Sequence, residues 1–129
     1  MFFKKKPKEK TIEEQRAEEI KSVRDKINKV SHAFSYIIPR SSADSEKSCK
    51  QDLRIWLKNN QELDDARREI DLLSAGASDD ELGILKEYEA VSERVQVRVN
   101  QRLENTNRAL DEKEKRFDER ETLQSLNRR

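Results

Sequence analysis

Apolar residues are sparse along this chain, but they recur at helical intervals. After Thr11 a seam of them reads Ile20, Val23, Ile27, Val30, Phe34 and Ile37, spaced 3-4-3-4-3. That is a heptad seam rich in β-branched residues, and it requires a helical partner. Thr11 with Glu14 forms a capping-box pattern, the hydroxyl accepting an early amide while the carboxylate reaches back. Pro39 stops the run, because the residue before a proline disfavours the α conformation. The first predicted helix therefore covers about 11–38.

Ser41, Ser42 and Asp44 offer a new N-cap, and a second helix is predicted over 42–75. Its seam reads Cys49, Leu53, Trp56, Asn60, Leu63, Arg67 and Ile70. Ile55, Leu57, Ala66, Leu72 and Leu73 widen the apolar face, which predicts contact with two neighbours. Asn60 on such a seam is either a buried polar residue that fixes register or a solvated one at a loosely packed layer. Trp56 reads as a core anchor, and Cys49 as a small hydrophobe.

Gly76 marks the next turn, and Ser78 with Glu81 makes a second capping box. A long third helix follows over 78–127, with apolar positions Tyr88, Val91, Val95, Val99, Leu103, Leu110 and Phe117. Tyr88, Val99 and Leu110 are eleven apart, as are Val95, Thr106 and Phe117, a repeat that keeps a seam nearly straight. At 1.5 Å per residue this rod spans about 75 Å.

Short connections between the three segments predict an all-α fold, an elongated antiparallel three-helix bundle or coiled coil. The second helix is too short to cover the third beyond about Leu110, so the C-terminal segment overhangs by about 25 Å. Leu110, Phe117, Leu123 and Leu126 keep an apolar edge along it, which points to a second chain. The expected partner contacts are therefore Ile20, Val23, Ile27, Val30, Phe34 and Trp56 on the seams, with those four residues on the overhang.

Composition narrows the function classes. The 129 residues are 43% charged, 33% hydrophobic and 5% aromatic, with two Gly and two Pro. A charge-rich, periodic, turn-poor chain is a coiled coil or slender bundle rather than a disordered polymer. The one His and one Cys lie at no metal-ligand spacing, and neither a phosphate loop nor a nucleophile–base pair can be assembled. The expectation is a protein that is not an enzyme, with no cofactor, metal or small-molecule substrate. A single cysteine and the lack of a long apolar run fit the cytoplasm, with a membrane surface as a further place and the nucleus left open.

Charge is distributed unevenly. Residues 61–93 hold eleven acids against Arg67, Arg68 and Lys86, so one end of the bundle is expected to be acidic. Arg94, Arg98 and Arg102 recur every four residues and stand in one row, a candidate polyanion contact. A net charge of +1 and the lack of interleaved aromatics disfavour nucleic acid as the partner. The first ten residues form a separate tail in which Phe2 and Phe3 precede Lys4, Lys5, Lys6, Lys8 and Lys10. Two aromatics beside five lysines suit an anionic membrane surface or an acidic partner, each lysine contributing about 1 kcal/mol near such a surface.

The opening MFFKKKPKEK and closing LQSLNRR resemble the ends of ESCRT-III-type membrane-remodelling subunits, which have a basic-aromatic start and a leucine-spaced C-terminal helix. The resemblance covers fewer than twenty residues. The acidic second helix and the short chain depart from that family, and membership is not assigned.

Overall fold

The computed structural model describes the backbone of residues 11–41 and 43–127, with side chains except at 117–119, 121 and 124–127. Three helices make up the described residues: α1 (Ile12–Tyr36), α2 (Glu46–Ser74) and α3 (Asp79–Asn127). The fold is the all-α three-helix bundle that the heptad spacing predicts, with α3 by far the longest at 49 residues.

Local chemistry sets each boundary. Thr11 caps α1, its hydroxyl accepting from the Glu14 amide at 3.2 Å. α1 ends at Tyr36, two residues before the predicted stop. Ile37 already has extended backbone (φ −103, ψ 113), and only its amide still reaches back, to the Ala33 carbonyl at 3.1 Å. α2 starts four residues later than predicted. Ser41 and Asp44 close a turn on each other, the Ser41 amide donating to the Asp44 carboxylate at 2.8 Å. Ser45 then caps α2 by accepting from the Ser48 amide at 3.1 Å. Gly76 sits at φ +75, a conformation that costs an L-residue roughly 1–2 kcal/mol and glycine almost nothing. The Ser78–Glu81 box is reciprocal: the Glu81 amide donates to the Ser78 hydroxyl at 3.3 Å, and the Ser78 amide to the Glu81 carboxylate at 3.2 Å.

Cross-helix pairs fix the register. Lys29 pairs with Glu62 at 3.1 Å, and Lys26 with Glu69, which sets α1 antiparallel to α2. Gln96 donates to Asn60 at 2.6 Å, and Arg67 reaches the Ser92 carbonyl at 3.4 Å, which sets α2 antiparallel to α3. Arg16–Glu81 and Arg102–Ile37 join α1 to α3 at opposite ends of the bundle with the same separation of 65 residues. α1 and α3 therefore run parallel in one constant register.

The core contains Val23, Ile27 and Val30 from α1, Trp56, Leu63, Ala66 and Ile70 from α2, and Leu85, Val95 and Val99 from α3. Two seams differ from their predicted phase. On α2 the buried positions are Cys49, Asp52, Trp56, Asn59, Leu63, Ala66, Ile70 and Leu73. Leu53, Asn60 and Arg67 are half-buried flanks, so alternate layers are filled by the residue one place earlier. With Cys49, Trp56, Leu63 and Ile70 fixed, three- and four-residue steps share one phase. The choice between them depends on where the second neighbour lies. Ile55, Leu57 and Leu72 do not widen the buried face; they are exposed. On α3 the fully buried residues Leu85, Ser92, Val99 and Thr106 repeat every seven. Val95, Val99 and Thr106 belong to the eleven-residue pattern and are buried, whereas Leu85 and Ser92 are core layers that this pattern does not include.

Candidate interaction surface

Two corners hold the bundle together. At the α1–α2 turn, the Phe34 and Trp56 rings lie 4.6 Å apart and tilted by 35°. Arg98 places its guanidinium 4.1 Å from the Phe34 centroid; that of Arg102 lies 5.4 Å from both rings. Arg102 also donates to the Ile37 carbonyl at 2.8 Å and so ties down the end of α1. Burial lowers the Arg102 pKa, and repulsion from Arg98 adds to the shift, while Asp52 opposes it. Beside them Arg40 grips the buried Asp52, donating from Nε at 2.6 Å and from a second nitrogen at 3.4 Å. This hydrogen bond with Asp52 raises the Arg40 pKa. The turn between α1 and α2 is thus stapled to α2 by Arg40 and to α3 by Arg102.

At the opposite corner Arg16 bridges all three helices. Its Nε donates to Glu81 at 2.9 Å, and a terminal nitrogen to the Leu73 carbonyl at 2.6 Å. Hydrogen bonds from the Ser78 amide and then from Arg16 hold the Glu81 carboxyl below its ordinary value of 4.5. A depressed carboxylate contributes stability above its unfolded pKa and loses it as pH falls through the folded one. Stability should therefore hold from neutral pH down to about 5 and decline below about 4.5. Glu81→Gln should destabilise the chain at about pH 7 and do so much less at about pH 3, read from urea midpoints. An equal loss at both pH values would remove Glu81 as the acid-sensitive group.

The sequence-predicted contact residues fall into separate groups. Ile20, Val23, Ile27, Val30 and Trp56 are buried and Phe34 is half-buried, all packed among α1, α2 and α3. This corrects their assignment as contacts for a second chain: the seam finds its partners within its own chain. Leu110 is half-buried and Leu123 is 60% exposed. The side chains of Phe117 and Leu126, and the tail carrying Phe2, Phe3 and its lysines, lie outside the described residues.

The arginine row divides. Arg102 is engaged with Ile37 and the two rings, Arg98 lies over Phe34, and Arg94 is exposed with no ion pair among the described residues. The acidity expected at one end of the bundle is also partly offset, because Lys26 and Lys29 pair with Glu69 and Glu62. The fastening roles of Arg16, Arg40 and Asp52 have no signature in apolar periodicity.

Along the bundle axis the helices are unequal. The antiparallel register set by Asn60–Gln96 and Arg67–Ser92 brings the first residue of α2, Glu46, level with about residue 113 of α3. A hydrogen bond from Lys50, its charge and then that of Lys113 lower the Glu46 pKa. α3 continues to Asn127, so its final fourteen residues extend about 21 Å past α2.

Among the described residues no cluster of His, Cys, Asp or Glu could hold a metal ion, and no helix is long and apolar enough to cross a membrane. Comparison with protein-family models, with curated proteins and with solved structures found no match.

Proposed function

We infer that this protein is a non-enzymatic helical scaffold or adaptor subunit that acts by association, with further copies of itself or within a larger helical complex. The mismatch of helix lengths carries the reading: α3 has 49 residues beside 25 in α1 and 29 in α2. A helix of this length in water is stabilised mainly by packing one face against a neighbour. α2 begins level with about residue 113 of α3, yet the sequence keeps apolar residues at helical spacing beyond it, and Leu123 is exposed. A parallel or antiparallel helix from another chain would cover that edge with the chemistry of a coiled coil.

Sedimentation of the full chain, and of a chain ending at residue 113, tests the reading. The full chain should form species heavier than a monomer at tens of micromolar, and the truncation should lower the assembled mass while the helical content per residue stays the same. A full chain that sediments as a monomer, or a truncation that leaves the assembled mass unchanged, would overturn the role given to the overhang.

A further inference from the structure

The face of α3 opposite its buried seam carries Gly83, Ala90 and Val97, seven apart and all exposed. Val97 is 60% exposed, and a Cβ added at Gly83 would meet nothing within 4 Å. A glycine inside an exposed helix costs about 1 kcal/mol relative to alanine, and here no neighbour within the chain accounts for it. Flanking this strip on one side are Glu87 and Arg94, and on the other Lys86 and Glu93. All four are exposed and make no ion pair among the described residues. Within the helix, Glu87 has Gly83, Ile84, Ala90 and Val91 at the three- and four-residue positions, so no opposite charge is in reach. Arg94 has Ala90, Val91, Val97 and Arg98, and thus only a like charge.

These charges complement a second copy of themselves. When two α3 helices run antiparallel and cross at Ala90, the flanks on each side face their own equivalents. Glu87 then meets the second copy's Arg94, and Lys86 its Glu93. Each pair occurs twice, as an isologous twofold contact requires. Val97 of each chain lies over the open position at Gly83 of the other. A parallel pairing can also match Glu87 with Lys86, but it brings Asp79 and Asp80 of both chains together. The antiparallel arrangement sets those acids against Asn100 and Gln101. Because the face lies opposite the core seam, α1 and α2 of each copy stay on the far side and do not obstruct the approach.

We propose that the outward face of α3 around Ala90 is a self-complementary docking surface for a second, antiparallel copy of this chain. The proposal rests on the association reading given above but uses a different surface from the α3 overhang. The contact is short and bordered by exposed ion pairs, so the dimer is weak and salt-sensitive.

The test uses full-length protein in sedimentation, with charge reversal and cross-linking. Glu87→Arg sets two guanidiniums against each other at both ends and should weaken this contact about tenfold. The double variant E87R/R94E should restore it, since the exchanged charges again face their opposites. In a parallel pair the exchange leaves the introduced guanidinium against Lys86 and restores nothing. Ala90→Cys should give a disulfide-linked dimer under mild oxidation, whereas the unsubstituted chain, whose Cys49 is buried, should not. Raising salt to about 0.5 M should weaken association of the full chain and leave the cross-link yield lower. If Glu87→Arg leaves association unchanged, or the double variant fails to recover it, this surface is excluded while the overhang reading stands. A full chain that stays monomeric at several hundred micromolar would exclude both.

Discussion

Trp56→Ala should cost about 3–5 kcal/mol of folding stability, the largest loss expected from any single side chain here. The indole is 1% exposed and sits where all three helices meet, against Phe34 from α1 and Arg102 from α3. Truncation removes the apolar area the ring buries and leaves a cavity that three packed helices cannot close. It also removes one of the two rings beside the Arg102 guanidinium, which is already partly desolvated. Net stability of domains this size is about 5–15 kcal/mol, so the loss takes a large part of it. Because the chain has one Trp, unfolding should be followed by far-UV circular dichroism rather than fluorescence. Trp56→Phe keeps a ring against Phe34 and should cost clearly less. A loss under about 1 kcal/mol for the alanine variant would show that the three helices do not depend on this residue.

What apolar spacing made legible was the number of helices, their order and the site of the tryptophan anchor. Thr11, Ser78 and Gly76 marked turns because capping and positive φ depend on local chemistry, which a sequence displays directly. Spacing failed where a core layer holds a polar or small residue. Asp52, Asn59, Ser92 and Ala109 are all buried, and none stands out in an apolar pattern. The α2 seam was read one residue late at alternate layers for the same reason: Leu53 looked like a better core residue than Asp52. Asp52 is inside because Arg40, twelve residues earlier, satisfies its carboxylate. Such pairings across a turn depend on tertiary geometry, and the residues alone do not announce them. The outward strip on α3 is weak in the sequence because glycine, alanine and one valine make little apolar signal. Its meaning emerges only once the opposite face of that helix is known to be filled.

Asn59→Leu should have an effect of opposite sign. Asn59 is buried in the α2 seam, between the Trp56 and Leu63 layers, and its Nδ2 has no hydrogen-bond partner among the described residues. A buried amide left unpaired costs about 1–3 kcal/mol, whereas leucine, with the same branching, would add apolar burial. The variant should therefore be more stable by about 2 kcal/mol, seen as a higher urea midpoint with an unchanged slope. The compensation for keeping asparagine is specificity. A three-helix bundle made of repeating heptad layers can slide by seven residues, and a polar residue in one layer penalises the shifted alignments. Asn60, next in sequence, is paired with Gln96 on the flank, so the two asparagines mark one layer from inside and outside. If this is their role, Asn59→Leu should gain stability while broadening amide resonances or giving mixed oligomers, and Asn59→Leu with Asn60→Ala should broaden them further. Greater stability with a single sharp set of resonances would show that Asn59 imposes no register, and a loss of stability would show that its amide is satisfied.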